Sequence, residues 1–364
     1  MRILYFSQSY STHDHRFLTA IVEAGHQVFY LRLENPGRQV EDRPVPAQVE
    51  QIRWAGGRDR FRWRNLPWLV LDFKRVVREC RPDLVHAGPI QTCTFIAALS
   101  GFRPILAMSW GFDLMQDVHR NGWWEFATRY ALKRADFFTS DAQVTRDKAV
   151  AHGMRADRTV VFPWGVDLKH FAPSGKPRDS AGGFTLLCNR SWEPRYGVDV
   201  LANAYARVAG QRDDVGLILL NAGSQAQEIR RILMGAGVMD RVHFGGQVSQ
   251  RDMPNWYHMA DLYVSPSHVD GSSVSLMEAL ACGLPVLVSD IPANREWVTD
   301  GKNGWLFPDG DAHALAERIE AAVRRRGELA EVGRAARRSA EERADWNRNV
   351  QALFDAYRQV VHPN

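Results

Sequence analysis

Cysteine is scarce in this chain, and so are the features that mark a membrane-spanning or secreted protein. Its 364 residues include four cysteines, Cys80, Cys93, Cys188 and Cys282, with no CxxC pair among them. Scattered thiols in apolar surroundings point to reduced, partly buried cysteine and away from a disulfide framework or a zinc site. No apolar run approaches the roughly 20 residues needed to span a bilayer. The opening MRILYFSQSY lacks the long apolar stretch and small-residue cleavage site of a signal peptide. These absences lead to the expectation of a cytoplasmic protein. No short internal repeat or low-complexity tract is present. No recognised motif accompanies the basic residues, so nucleic acid is not an expected partner.

What is present is enough for two hydrophobic cores. The chain is 45% hydrophobic and its length suits two domains. The net charge of +4 is unevenly spread: residues 1–175 carry 24 Lys/Arg against 18 Asp/Glu, a net +6, and the remainder 22 against 24, a net −2. A basic first half suits an anionic acceptor or an anionic membrane surface, and equally an ordinary solvated, arginine-rich exterior. Two stretches, RDRFRWRNLPWLVLDFKR (58–75) and NGWWEFATRYALKR (121–134), mix Trp, Phe and Arg. They fit either peripheral contact with the inner membrane face or the two faces of ordinary helices.

Short β-rich runs alternate with helix-length amphipathic segments. In the first half, strands are expected at 2–6, 26–33, 83–87, 104–110, 136–140 and 159–163, with helices at about 14–24, 66–80, 91–100, 122–134 and 141–152. Gly25 stands where the first helix should stop. The segment at 163–183 is rich in Pro, Gly and polar residues and reads as a connection. Strands resume at 184–189, 215–220, 241–246, 261–267 and 284–290, with helices at about 197–210, 225–236, 251–259, 274–282 and 312–343 and a final helix from about Asp345 to Val361. The reading is α/β, with parallel sheets covered by helices on both faces. The expected domains are 1–165, together with a C-terminal helix at 345–364 packing back on it, then a linker at 166–183 and a second domain at 184–344. Two doubly wound, Rossmann-like domains would bind ligands outside the carboxyl ends of their strands, facing a central cleft.

The most informative segment is SPSHVDGSSVSLMEALACGLPVLVSDIPANREWVTDGKNGWLF (265–307). A strand ends near Pro266, a polar turn carries Asp270, Gly271, Ser272 and Ser273, and an apolar helix begins at Val274. Free amides and the dipole make such a helix start a place for phosphate. Asp270 and Glu278 are eight residues apart, so they are not a surface ion pair. On the residues alone, a helix cap (Asp270 or Ser272) with a surface glutamate is the preferred reading. DGD at 309–311 fits the metal-binding Asp-x-Asp string, but it follows NGWLFP and precedes a helix, so it reads as a turn and N-cap. No metal is expected.

The spacing of this segment resembles the donor-binding segment of the family 4 retaining glycosyltransferases, which have the GT-B fold. The matching positions are Asp270, Glu278, Ala279, Ala281, Gly283, Pro285, Val286, Glu296, Gly301 and NGWLF at 303–307. The first acid is the Asp of a DG-S-SL-EA variant rather than the commoner Glu. The resemblance implies that Glu278 accepts hydrogen bonds from the ribose of a nucleotide sugar, that amides around Gly271, Ser272, Ser273 and Val274 hold its diphosphate, and that Asp270 contacts the donor sugar. LLCNRSWEPRYGVDVLANAY (186–205) resembles the family's diphosphate clamp. Arg190 matches the family's Arg, but Tyr196 stands at the Lys position, with Arg195 beside it. Arg190 and Asp270 are the implied catalytic residues.

In the first half the resemblance is thinner. The first strand–helix turn lacks the Gly-Gly loop of many relatives and offers His13, Asp14 and Arg16 as acceptor contacts, with Asp14 alternatively capping the helix. Trp110 stands where a His is common and cannot transfer a proton, whereas Asp113 is a candidate polar contact to the acceptor. His86 and Gln91 lie near another strand end and read as structural. The resemblance therefore implies retaining transfer from a nucleotide-diphosphate sugar, a UDP- or GDP-sugar foremost, to a hydroxyl acceptor in glycan, glycolipid or metabolite biosynthesis. No other cofactor is expected. A different sugar-nucleotide enzyme on the same scaffold, or a binding module without turnover, is the alternative.

Overall fold

The computed structural model describes residues 1–35, 41–175 and 183–361. The chain forms two compact units. Unit 1 comprises Met1–Phe162 and Val350–Asn364, and unit 2 comprises Pro163–Asn349.

Unit 1 contains a seven-stranded sheet. Its strands are β1 (Arg2–Ser7), β2 (Gln27–Arg32), β3 (Glu50–Gln51), β4 (Leu84–Gly88), β5 (Ile105–Met108), β6 (Phe137–Ser140) and β7 (Thr159–Val161), ordered β3-β2-β1-β4-β5-β6-β7. Unit 2 contains a six-stranded sheet of β8 (Phe184–Cys188), β9 (Val215–Leu220), β10 (Val242–Gly246), β11 (Leu262–Ser265), β12 (Val286–Ser289) and β13 (Trp305–Phe307), ordered β10-β9-β8-β11-β12-β13. All strand pairs are parallel. Continuous apolar runs such as Val215–Leu220 follow from this, because a strand covered on both faces has no reason to alternate. Each order reverses once, between β1 and β4 and between β8 and β11. Those are the points where adjacent loops diverge and leave a crevice at the carboxyl ends.

Several elements differ from their expected form. The first helix is Thr12–Glu23 and its N-cap is Ser11, not Asp14. Gly25, with φ of +80°, follows its end. The helix expected at 312–343 is two, Ala312–Arg324 and Leu329–Arg343, with a short turn at Arg326–Glu328. Gly327 lies in that break, where helix propensity is weakest. β3 and β13 are short and fall outside the expected strands. The described part of the 166–183 segment is ordered into unit 2: Val166 N donates to Ala344 O (2.7 Å), Trp346 N donates to Val166 O (3.1 Å), and Phe171 is buried. Residues 176–182 of that segment lie outside the described residues. The helix Gln351–Val361 belongs to unit 1, where it buries Leu353, Phe354, Ala356, Tyr357 and Val360.

Candidate functional site

The site of unit 2 grows from the strand order. Arg190 lies two residues past β8, and Asp270 to Ser273 lie past β11, so both groups flank the sheet's switch point. Gly197 allows the two loops to meet. Its φ is +58°, and a Cβ there would lie 2.2 Å from the Pro266 carbonyl oxygen. His268 N also donates to Arg195 O across the gap at 2.9 Å.

Arg190 is the hub. Its Nη2 donates to Asp270 Oδ2 at 2.6 Å, and its Nη1 donates to Ser273 Oγ at 2.8 Å and to Ser275 Oγ at 3.0 Å. The pair is largely shielded from water, with side-chain exposures of 11% for Arg190 and 17% for Asp270. Burial raises the Asp270 carboxyl above the ordinary carboxylate range, and the Arg190 charge pulls it back. The guanidinium lies 4.3 Å from the centre of the Tyr196 ring. Tyr196, at the position of the expected lysine, thus supports the arginine with a π-face rather than adding a second cation. Arg195 lies 6.0 Å from the same ring.

The helix Val274–Ala281 starts beside this hub. Ser273 is its N-cap, accepting from Leu276 N, and Gly271 N donates to Asp270 Oδ1 at 3.1 Å. Ser272 is buried and accepts from Trp297 Nε1 at 3.0 Å. Glu278 is buried on the next turns, accepting from Tyr257 Oη and Gln250 Nε2, both at 2.7 Å. Glu278 connects to the hub through side chains that the sequence did not single out. Tyr263 Oη donates to Asn189 Oδ1 (3.0 Å) and lies 2.9 Å from Ser275 Oγ, and Asn189 Nδ2 donates to Tyr257 Oη (2.8 Å). Tyrosines inside apolar runs such as DLYVS read as core. Only their hydroxyl partners reveal a second role.

In unit 1 the expected acceptor residues separate into two groups. His13 and Trp110 come together, with ring centres 5.6 Å apart. Arg16 lies one turn beyond His13 on the same helix and is half-buried. Asp14 and Asp113 are both fully buried, and the oxygens of both accept hydrogen bonds from within the unit. Asp14 accepts from Ser11 N (2.8 Å), Ser11 Oγ (2.5 Å) and Tyr5 Oη (3.1 Å). Asp113 accepts from Ser109 Oγ (2.6 Å) and from the amides of Ile90, Trp110 and Leu114 (3.0–3.1 Å), pinning the loop that presents Trp110. Burial pushes each of these carboxyls up to about 6, against the opposing pull of its hydrogen bonds. His86 is structural: it is buried, its Nδ1 lies 2.7 Å from Tyr357 Oη, and burial lowers its pKa to about 3. Gln91 bonds to Asp113 O and Thr128 Oγ1. Among the described residues no group of three His, Cys, Asp or Glu could hold a metal ion.

Two family profiles match the chain almost end to end, "Glycosyltransferase Family 4" over residues 11–170 and "Glycosyl transferases group 1" over residues 176–339. The chain belongs to the family 4 glycosyltransferases, and its two parallel-sheet units are those of the GT-B fold. It is a nucleotide-sugar-dependent glycosyltransferase. It is 35% identical to a phosphatidyl-myo-inositol mannosyltransferase of Mycobacterium leprae over 54% of this chain, a match that spans about half (52%) of that protein. It is 25% identical to a D-inositol 3-phosphate glycosyltransferase of Paenarthrobacter aurescens over 94% of this chain and 90% of that protein. The Anabaena HepE structure in complex with UDP shares the fold at a TM-score of 0.77 and 20% identity, covering 98% of this chain and 99% of that one.

Proposed function

We propose that the chain transfers a glycosyl group, with retention, from a UDP- or GDP-sugar to a hydroxyl of a polyol or glycan acceptor, and that unit 2 binds the donor at the β8/β11 switch point. One observation carries this reading: Arg190, a largely buried cation, is held at the carboxyl end of the sheet beside a helix start. In this reading Arg190 and the amides near Gly271–Val274 neutralise the diphosphate, and Glu278 receives the ribose hydroxyls. Asp270 orients both Arg190 and the donor sugar. As the glycosidic bond breaks, its electron pair leaves with the phosphate oxygen. The acceptor hydroxyl attacks the same carbon from the same face and gives its proton to that oxygen. Negative charge grows on the diphosphate, where Arg190 stands. Tyr196 keeps the guanidinium in place, and Arg195 stands beside the same ring.

On unit 1, His13, Arg16 and Trp110 are assigned to the acceptor. The names of the two relatives, both acting on inositol compounds, support a polyhydroxylated acceptor. Peripheral contact with the inner membrane face also belongs to this reading. The HepE complex with UDP supports a nucleotide-diphosphate donor. The test is a thermal-shift panel of UDP-, GDP-, ADP- and dTDP-sugars on the wild type and on Arg190→Ala and Glu278→Ala, because a ligand of the folded state raises the melting temperature. One donor should stabilise the wild type and neither variant. The absence of a shift with every donor at millimolar concentration overturns the assignment.

A further inference from the structure

Six large hydrophobic side chains stand exposed among the described residues, and four of them lie on two helices of unit 1: Trp68 and Leu71 on Leu66–Cys80, and Trp123 and Phe126 on Gly122–Arg134. Trp123 and Phe126 each meet the buried Phe95 edge-on, with ring centres 5.9 and 6.3 Å apart, and remain 44% and 51% exposed. The helix Leu66–Cys80 already buries Leu69, Phe73, Val76 and Cys80 at steps of four, three and four. Trp68, Leu71, Arg75 and Arg78 follow one another at steps of three, four and three along a different side.

The aromatic side chains continue from one helix to the other. Trp63, just before the first helix, packs edge-on against Trp123 (5.5 Å between ring centres) and Trp124 (5.6 Å). Trp123 stacks on Phe126 (5.5 Å), and Phe126 leans on Tyr130 (6.0 Å). Cations border this strip. Arg120 lies over Trp124 at 4.5 Å and Arg134 over Tyr130 at 5.4 Å. Residues 58–81 carry eight Lys/Arg against three Asp/Glu, and residues 120–134 carry four against one, a net +8. The whole chain is only +4, so everything outside these two stretches is net −4.

We infer that this strip is the face by which the protein docks on an anionic lipid surface. Rings with adjacent guanidinium groups match the headgroup layer, where aromatic side chains settle and arginines meet lipid phosphates. Charge argues against a second copy of the chain as the occupant. A two-fold contact through this strip would set +8 against +8. The docking does not depend on the donor site, which lies in unit 2.

The experiment is co-sedimentation of the full chain with phosphatidylcholine vesicles, with and without about 30% phosphatidylglycerol. Binding to the anionic vesicles should be at least about tenfold tighter and should weaken with salt. The variant Trp68→Ser/Leu71→Ser/Phe126→Ser should lose about tenfold of that binding, with an unchanged melting temperature and an unchanged nucleotide-sugar thermal shift. Tryptophan emission of the wild type should be quenched by lipids brominated on their acyl chains, and less so in the variant. Equal binding to neutral and anionic vesicles, no binding to either, or full binding by the variant overturns the proposal. A concentration-dependent dimer that the variant abolishes overturns it in favour of a second copy. If the variant is destabilised, Arg62→Ser/Arg64→Ser, which changes only exposed cations, should still weaken anionic binding several-fold, and an unchanged affinity overturns the proposal.

Discussion

Arg190 has no partner at its Nε among the described residues, while its other nitrogens hold Asp270, Ser273 and Ser275. Removing it leaves Asp270 buried and unpaired. Arg190→Ala should therefore cost about 3 kcal/mol of stability in denaturant unfolding. Arg190→Ala/Asp270→Ala should recover part of that loss by removing the orphaned charge, without restoring donor binding by calorimetry. Tyr196 acts through its ring face. Tyr196→Phe should keep donor affinity within about twofold, whereas Tyr196→Leu should weaken it about tenfold. The buried carboxyl of Asp14 has a pH consequence. Its folded-state pKa, about 6, lies above the ordinary value of 3.8. The folded state thus holds the proton longer than the unfolded chain, and stability falls as pH rises between those two values. Asn does not titrate, so the wild type should lose about 2 kcal/mol relative to Asp14→Asn between pH 4 and pH 7, measured by urea unfolding across that range. Arg190, Asp270 and Glu278 were singled out by the family resemblance of their segments, since on residue types alone that stretch reads as a helix cap with a surface glutamate. Tyr257, Tyr263 and Ser275 were not, because a buried hydroxyl's partner is set by packing between distant segments. The internal donors to Asp14 and Asp113 were hidden for the same reason, because they are brought in by packing.

At the scale of elements, the parallel strands and most helices could be read from alternating pattern and length. The exceptions have local causes. β3 has two residues and β13 three, too few to show a pattern. The break at Arg326–Glu328 lies in an Arg-rich stretch whose single glycine, Gly327, is a weak signal among residues that favour a helix. The left-handed turn at Gly197 matters more to function, because it brings the loop after β8 against the loop after β11. Gly197→Ala adds a Cβ at 2.2 Å from a carbonyl oxygen in a strained backbone conformation. It should lower the melting temperature and weaken donor binding together, as read by thermal shift with and without nucleotide. Retained affinity in a stable Gly197→Ala protein would count against the role assigned to this turn.

For the whole molecule, the proposed function assigns the donor to unit 2 and the acceptor to unit 1. In hydrogen exchange, a nucleoside diphosphate should protect amides near 190–197 and 270–276 of unit 2, and protection should not begin at the His13–Trp110 pair of unit 1. The unit boundaries also have a temporal meaning. Residues 163–349 sit within unit 1 like a parenthesis, and the helix Gln351–Val361 returns after it to cover His86 and pack on β4 to β7. On the ribosome, unit 1 is therefore begun first and completed last. While unit 2 is being made, the partly assembled first sheet must wait with the place of Tyr357 still open to water, a window in which a nascent chain is exposed to chaperones or to error.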